Sequence, residues 1–316
     1  MLTESGDMKK ERFYFDSRDS ASKIYAVRYT PKNGQARAVV QIVHGMAEYV
    51  ERYEEFACFL AERGFVVTGA DHLGHGKSAG EKGFGYFCEQ DPATVVVRDV
   101  HRLKKMTQQL YPSVPYIILG HSMGSFILRN YLSRYGSGIQ GAIVMGTGMQ
   151  PAALVKAGKG IAALIGKIKG ERHISPMIQK IAFGSYCDRF KPVRTDADWL
   201  SKDEAKVDQY VADPMCGYIF TINGFRTLFE LIDRAQKEES VRNIPKELPV
   251  LLVSGTEDPV GDYGKGVKLA YDSMTASGMK KVSLKLYDND RHEVLNETDR
   301  AVVMEELYNW IVTQVL

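Results

Sequence analysis

The sequence has few of the features that mark secreted, metal-binding or membrane-spanning proteins. Only four of its 316 residues are cysteines, and they show neither a CxxC pair nor metal-ligand spacing. No stretch approaches the roughly 18 consecutive apolar residues that a spanning helix needs. The N-terminus, MLTESGDMKKERF, lacks the apolar region of a signal peptide. These absences predict a reduced, cytoplasmic protein that does not cross a membrane.

The sequence also lacks a large excess of charge of either sign. Lysine and arginine together number 41 against 39 aspartates and glutamates, which leaves a formal net charge of +2. This balance offers no overall field for nucleic acid or a strongly acidic partner, so any electrostatic preference must be local. The chain does have length and apolar content. Its 44% of hydrophobic residues can fill the core of one large domain, or of a domain with a sizeable insertion.

Short apolar runs recur along the chain and predict strands. In chain order they read RFYF, KIYAVRYT, AVVQIVHG, FVVTGADH, YIILGHS, GAIVMGTG, PVLLVSG and VSLKLYD. Helical spacing of apolar residues occurs between or after them, at 53–63, 92–110, 265–277 and 298–315. Strands that alternate with helices favour an α/β fold with a mostly parallel sheet.

This alternation is interrupted over residues 150–239. The interruption has no strand pattern and consists of short helical patterns separated by glycine and proline. We interpret it as a helical cap inserted into a core formed by residues 1–149 and 240–316. No repeat with a period of about 20 to 50 residues is visible, which argues against a solenoid.

A serine motif stands where the fifth apolar run ends. GHSMG, residues 120–124, fits Gly-x-Ser-x-Gly between a predicted strand and the helical pattern SFILRNYLSRY. A tight strand-to-helix turn of this kind strains the serine and crowds the positions on either side of it, so glycine fits there. Ser122 is therefore a candidate nucleophile at the carboxyl edge of the sheet. Because the pentapeptide also occurs in ordinary turns, its context has to decide.

A serine nucleophile needs a base and an acid that orients the base. In proteins with this turn, the three follow in the order serine, acid, histidine. Only His173 and His292 come after Ser122. His173 lies in the predicted cap, whereas His292 follows the last predicted strand, so His292 is the predicted base.

The acid should follow the strand PVLLVSG, where Glu257, Asp258 and Asp262 are available. We prefer Asp258 because it lies three residues beyond Gly255, at a turn before a proline. The structural alternative for Asp258 is an Asx-turn.

The oxyanion of an acyl-transfer reaction needs two backbone donors. The amide of Met123, directly after the candidate nucleophile, is one. The loop after an earlier strand, His44-Gly45-Met46, offers the amide of Met46 as the second. As side chains, these methionines are expected to line a pocket or to pack.

Four histidines, His44, His72, His75 and His121, crowd the predicted strand ends near these loops. A metal site is conceivable, but the loops lack acidic ligands at recognisable zinc spacing. We expect the histidines to hydrogen-bond the loops around the site, with no metal and no cofactor.

Taken together, the motifs resemble the α/β-hydrolase superfamily. Within it, the chain is similar to the monoacylglycerol lipase and lysophospholipase group, also labelled serine aminopeptidase-like. The segments VHGMAEYVERYEEFACFLAERGFVV, DHLGHGKSAG, GHSMGS, SGTEDPVG and DRHEVLNE appear in the family's order. The resemblance implies an eight-stranded sheet and assigns Ser122, Asp258 and His292 as nucleophile, acid and base.

The predicted cap is locally basic. Residues 151–182 hold six cations (Lys156, Lys159, Lys167, Lys169, Arg172 and Lys180) against the single anion Glu171. One interpretation is a helix with a core face and a solvated face. The other is a surface that contacts anionic membrane while an apolar channel beneath it accepts an acyl chain.

These observations predict a serine hydrolase of carboxylic esters, with monoacylglycerol or lysophospholipid as the expected substrate class. An amide or peptide hydrolase, or a short-chain esterase, would use the same triad. A receptor without catalysis remains a further alternative.

Overall fold

The computed structural model describes residues 3–5 and 8–316. Its strands are β1 (Thr3–Ser5), β2 (Met8–Asp16), β3 (Lys23–Pro31), β4 (Ala38–Val43), β5 (Phe65–Ala70), β6 (Tyr116–His121), β7 (Gly141–Met145), β8 (Val250–Gly255) and β9 (Val282–Tyr287). Its α-helices are α1 (Glu54–Glu62), α2 (Pro92–Leu110), α3 (Met123–Tyr135), α4 (Ala152–Lys169), α5 (Pro176–Phe183), α6 (Glu204–Ala212), α7 (Ile222–Gln236), α8 (Glu238–Arg242), α9 (Lys265–Ala276) and α10 (Arg300–Gln314). None of the described helices is long and apolar enough to span a bilayer.

The strands of the described chain form one sheet in the order β1-β2-β3-β5-β4-β6-β7-β8-β9. Along this order, the first three pairings, β1 with β2, β2 with β3 and β3 with β5, are antiparallel. The remaining five pairings, from β5 through β4 to β9, are parallel. Each of the eight predicted runs forms a strand, β2 to β9. The mostly parallel eight-stranded sheet is therefore confirmed, and β1 adds a short ninth strand at its antiparallel edge.

The central strands are buried because helices cover both faces of the sheet. Every residue of β4, β6, β7 and β8 is buried. Helices α1 and α10 pack on one face, and α2, α3 and α9 pack on the other. Burying one large aliphatic side chain contributes about 1.5–3 kcal/mol, which explains why such continuous apolar runs occupy the interior.

Parallel pairing brings the carboxyl ends of the strands to one edge. The last residue of β4, Val43, pairs with Gly120 near the end of β6. The loops that follow β4, β6, β8 and β9 therefore open at the same edge of the sheet. In that order, these loops carry Met46, Ser122, Asp258 and His292.

Residues 150–239 leave the sheet after β7 and include α4 to α7, with no named strand among them. Helix α4 packs on α7, and α7 packs in turn on α3 of the core. This helical segment, residues 150–239, is thus attached to the helix that follows the candidate nucleophile.

The two ends of the helical segment are held together. The buried guanidinium of Arg129 donates to the carbonyl oxygens of Gly148, at 2.8 Å, and Ala235, at 3.2 Å. The Gln150 amide donates to Oε1 of Gln236 at 2.6 Å, and Nε2 of Gln236 donates to the Gln150 carbonyl at 2.9 Å. The two ends of the helical segment are therefore hydrogen-bonded to each other and to Arg129 of α3.

Candidate active site

Ser122 occupies the strained turn that the glycine spacing predicts. It lies between β6 and α3 with φ of 55° and ψ of −121°, a backbone conformation that residues other than glycine rarely adopt. A Cβ added to Gly124 would lie 2.0 Å from the carbonyl oxygen of Val43, and one added to Gly120 would lie 2.4 Å from that of Gly124. The close approach of α3 to β4 and β6 therefore requires glycine at both positions.

The structure brings the predicted acid and base together. Nδ1 of His292 lies 2.9 Å from Oδ1 of Asp258, and both side chains are buried. The carboxylate also accepts from Ser254 Oγ at 2.8 Å and from the Val260 amide at 2.9 Å. Burial would raise the pKa of Asp258, but His292 and these donors lower it below its ordinary value. Asp258 is therefore held as a carboxylate against the imidazole.

The other imidazole nitrogen is free to act. Nε2 of His292 is buried and has no hydrogen-bond partner among the described residues. Ser122 and His292 line the same cavity. Of the other two candidate acids, Asp262 is exposed and Glu257 is half-buried. The other late histidine, His173, lies in the helical segment just before α5. The arrangement suits proton transfer between the Ser122 hydroxyl and His292.

The two predicted oxyanion donors lie on the wall of this cavity. Met46 follows β4 and Met123 opens α3, where the helix N-terminus favours negative charge. The loop that carries Met46 is held by Glu48, whose Oε1 accepts from the Gly45 amide at 2.6 Å.

Hydrogen bonds from buried histidines also hold the loop that carries Met46. Nδ1 of His44 bonds to the Gly45 carbonyl at 2.8 Å, and Nε2 of His44 accepts from the His72 amide at 3.0 Å. Nε2 of His72 returns a bond to the His44 carbonyl at 3.1 Å. Burial lowers the pKa of His72 to about 4 and that of His75 to about 3. In the described residues, no group of three or more histidine, cysteine or acidic side chains is arranged to hold a metal ion.

A buried ionic network next to the candidate triad was not predicted. Nη1 of Arg52 donates to Glu48 at 2.6 Å, and its two terminal nitrogens bind Glu293 at 2.7 and 2.8 Å. His121 lies between this network and His292, with Nδ1 3.4 Å from Glu48 and Nε2 3.2 Å from the His292 carbonyl. Burial opposes charge on His121, but Glu48 raises its pKa overall. The charged residues of this network stand in the segments AEYVERY and DRHE of the sequence. No local sequence pattern indicates that these two distant segments form ion pairs with each other.

The cavity in front of Ser122 measures about 280 Å³ and is mainly apolar. Its walls come from the edge of the sheet and from α4, α5 and α7 of the helical segment. Apolar side chains on these helices face it, among them Val155, Ile161, Ile178, Leu228 and Ile232. No lysine or arginine is among the described residues that line it.

A family model described as serine aminopeptidase, S33, matches residues 34–299, which is most of the chain. The chain belongs to this family. This S33 protein is 28% identical over 292 residues to the monoacylglycerol lipase of Mycolicibacterium smegmatis, and 92% of each chain is covered. It is 28% identical over 289 residues to the monoglyceride lipase of Rattus norvegicus, covering 90% of this chain and 85% of the relative.

Solved structures agree with this assignment. A thermostable carboxyl esterase from Bacillus coagulans, in complex with glycerol, superposes on the S33 protein with a TM-score of 0.90 and 29% identity, covering 97% of this chain and 99% of the esterase. A soluble variant of the Saccharomyces cerevisiae monoglyceride lipase gives a TM-score of 0.78 at 21% identity, covering 99% and 97%, and so shares the fold. The resemblance to α/β hydrolases that the motifs indicated is confirmed.

The buried histidines of the S33 protein should make its stability depend on pH. Unfolded His72 takes up a proton below its ordinary pKa of 6.5, whereas folded His72 does so only near pH 4. His72 therefore leaves the free energy of unfolding unchanged above pH 6.5 and lowers it by about 1.4 kcal/mol per pH unit between pH 6.5 and about pH 4. His72→Gln keeps an N–H donor and should flatten this dependence.

Urea unfolding of both proteins at pH 7 and pH 5 measures the effect. The loss of stability between these values should be smaller in the variant by about 2 kcal/mol. Carboxyl groups with a raised pKa, such as Asp71 at about 7, act in the opposite sense but cancel in the comparison of the two proteins. An equal loss of stability in the wild type and the variant would contradict the lowered pKa of folded His72.

Proposed function

We propose that this carboxylic ester hydrolase cleaves esters of a single long acyl chain with a neutral head group, of which monoacylglycerol is the type. In this proposal Ser122 is the nucleophile, His292 the base and Asp258 the acid. The observation that carries it is the buried His292–Asp258 pair: Nε2 of His292 has no partner among the described residues, and His292 lines the same apolar cavity as Ser122.

In the first half of the reaction, Nε2 of His292 takes the proton of Ser122 as Oγ attacks the ester carbonyl carbon. The amides of Met46 and Met123 bind the oxyanion of the tetrahedral intermediate. The intermediate collapses as the carbon–oxygen bond breaks, and His292 gives its proton to the leaving alcohol. Asp258 holds Nδ1 throughout, so the protonated ring keeps its orientation. An acyl-enzyme on Ser122 remains.

In the second half, water replaces the alcohol. His292 takes a proton from water as its oxygen attacks the acyl carbonyl, and the same two amides bind the new oxyanion. Collapse releases the fatty acid, and the proton returns to Oγ of Ser122. The protein's own residues supply every proton transfer in this sequence.

The helical segment 150–239 supports the acyl part of the proposal. We assign it as a cap domain over the core, because α4, α5 and α7 supply most of the apolar wall in front of Ser122. Each methylene that enters such a cavity contributes about 0.8 kcal/mol. A cavity of about 280 Å³ with these walls favours a long chain over an acetyl group.

The charges around the cavity favour a neutral head group. A lysophospholipid would place a phosphate where no described lysine or arginine lines the wall. An aminopeptidase substrate would place an ammonium group there, and the acidic residues on the wall, Glu48 and Glu293, are both bound to Arg52. Glycerol hydroxyls need neither charge.

The assignment of the nucleophile is tested with Ser122→Ala. A fluorophosphonate probe should label the wild-type chain once and the variant not at all. Hydrolysis of a soluble butyryl ester should fall by about 10⁴-fold or more, since triad members act as a unit. Undiminished labelling of the variant would contradict the assignment.

The neighbouring carboxylates offer a matched control. Asp258→Asn should lower kcat by about 10³- to 10⁴-fold, because the imidazole loses the partner of Nδ1. Asp262→Asn should have little effect, since Asp262 is exposed on the same loop. A larger loss of kcat in Asp262→Asn than in Asp258→Asn would instead assign Asp262 as the acid.

The acyl cavity is tested by chain length. In monoacylglycerols of about four to eighteen carbons, measured below their aggregation thresholds, kcat/KM should rise by up to about fourfold per carbon and then level off. Ile161→Trp should make the plateau begin at a shorter chain, because Ile161 lines the cavity. Leu164→Trp, on the exposed side of α4, is the control and should leave the plateau unchanged. A wild-type maximum at the shortest chains would contradict the lipid proposal while leaving the triad untouched.

The cap surface supports peripheral contact with anionic membrane. Helices α4 and α5 and the turn between them expose six large apolar side chains by more than half: Leu154, Leu164, Ile168, Ile174, Met177 and Ile181. Lys156, Lys167, Lys169 and Lys180 are exposed on the same helices. Lys159 does not join them, because it pairs with Glu230 and Asp233 of α7. Apolar and cationic side chains together suit an anionic lipid surface.

Vesicle sedimentation tests this contact. Replacing Leu164 and Ile168 by serine and Lys167 and Lys169 by glutamate should weaken binding to phosphatidylserine-containing vesicles. Hydrolysis of a soluble butyryl ester should stay within about twofold, because these side chains do not line the cavity. A matched set on α9, Leu269→Ser with Lys265→Glu and Lys268→Glu, should not weaken binding. Equal binding by the cap variant and the wild type would favour a merely solvated face.

A further inference from the structure

The helical segment does more than cover the cavity, because one stretch of it runs along the loop that carries His292. We call residues 198–202 the strap and residues 290–297 the base loop. The Glu293 amide donates to the Leu200 carbonyl at 2.7 Å, and the His292 amide donates to the Trp199 carbonyl at 3.4 Å. The two stretches are therefore joined by their backbones on both sides of the His292 side chain.

The strap also contacts the imidazole itself. The ring of Trp199 lies 4.9 Å from the ring of His292, and the ring of His121 lies 4.7 Å from it. A Cβ on Gly146 would lie only 2.9 Å from Cε1 of His292. The imidazole thus has neighbours on several sides, and one of them comes from the strap.

Beyond the imidazole, the strap is anchored by charge. Nζ of Lys202 donates to Oδ1 of Asp290 at 2.5 Å, and the Lys202 amide donates to Glu297 at 2.9 Å. Ser201 Oγ donates to the Asn296 carbonyl at 2.9 Å. Asp290 and Glu297 are fully buried, and Oδ2 of Asp290 has no hydrogen-bond partner among the described residues.

The anchor extends to the loop of the acid. The carbonyl oxygen of Asp290 accepts from the Glu257 amide at 2.9 Å, directly before Asp258. Arg291 also donates to the carbonyl oxygens of Asp198 and Ser201, the latter at 3.0 Å. A displacement of the strap would therefore move the base loop against the acid loop.

We infer that the strap positions the base: Lys202, through Asp290, and Trp199, through its ring and carbonyl, hold the imidazole of His292 in line with Ser122. This inference rests on the proposed function, in which His292 is the base. Lys202 and Trp199 are positioning residues, since they act through His292. Any opening of the cavity must then leave residues 198–202 in place and involve α4 and α5.

Lys202→Met is the decisive variant, because Lys202 does not line the cavity. It leaves Asp290 as a buried carboxylate without a cation, which disturbs the base loop. With a soluble butyryl ester, kcat should fall by about 10- to 100-fold, as expected for a small misplacement of the base. KM should stay within about twofold, because the walls of the cavity are unchanged. Lys202→Arg should restore most of kcat.

Lys206→Met is the matched control. Lys206 lies one turn further on and also binds a carboxylate of the core, Glu55, at 2.9 Å, but at the surface and away from the base loop. Its kcat should match the wild type. Concentrations of active sites are determined by fluorophosphonate titration, so that an unfolded fraction does not count as a loss of kcat.

A double variant separates positioning from general destabilisation. If Lys202 acts through Asp290, Lys202→Met should cost at most about threefold in kcat when Asp290→Asn is already present. Should Lys202→Met fail to fold, Ser201→Ala replaces it and should lower kcat with KM unchanged. Equal kcat in the wild type and in whichever of these variants folds, or equal losses from Lys202→Met in both backgrounds, would overturn the inference. A wild-type protein without esterase activity would instead overturn the proposed function.

Discussion

Arg52 is the residue on which the geometry of the site depends. Its guanidinium binds Glu48 of the loop before α1 and Glu293 of the base loop, residues 245 positions apart in the chain. Glu48 holds the loop that carries Met46, and Glu293 directly follows His292. Burying three charged groups is costly, and removing one partner of such a network costs about 3–5 kcal/mol. The network therefore ties the candidate oxyanion loop and the candidate base into one rigid unit.

The same network bears on the proposed substrate. Among the described residues, the acidic side chains on the cavity wall are Glu48 and Glu293, and both bind Arg52. Under the proposed function, neither is available to hold a substrate's ammonium group. The family name refers to aminopeptidases, whereas the relatives compared above are named as lipases. A fold shared by such different activities leaves the choice of substrate to the side chains of the cavity.

Much of the architecture could be predicted from local patterns. Near-continuous apolar runs predicted β4, β5, β6 and β7, because strands covered on both faces have no polar side. The glycines around Ser122 predicted a strained turn, because a Cβ there would collide with the neighbouring backbone. The order of serine, acid and histidine, together with their positions after predicted strands, then narrowed the candidate triad to His292 and three acids, of which Asp258 was preferred. These inferences need only neighbours in sequence and the rule that parallel strands end at one edge.

Contacts between distant loops could not be predicted in this way. Arg52 with Glu293 and Lys202 with Asp290 join residues 241 and 88 positions apart, and no periodicity links them. The sequence likewise counted Lys159 among the six cations of residues 151–182 with only Glu171 beside them, whereas packing of α4 on α7 pairs it with Glu230 and Asp233. By itself, the sequence determined the strands, the turn at Ser122 and the candidates for the triad, because those depend on local sterics and burial. Only the tertiary structure decided which carboxylate meets His292 and which charges are neutralised, because those depend on where folding places remote side chains.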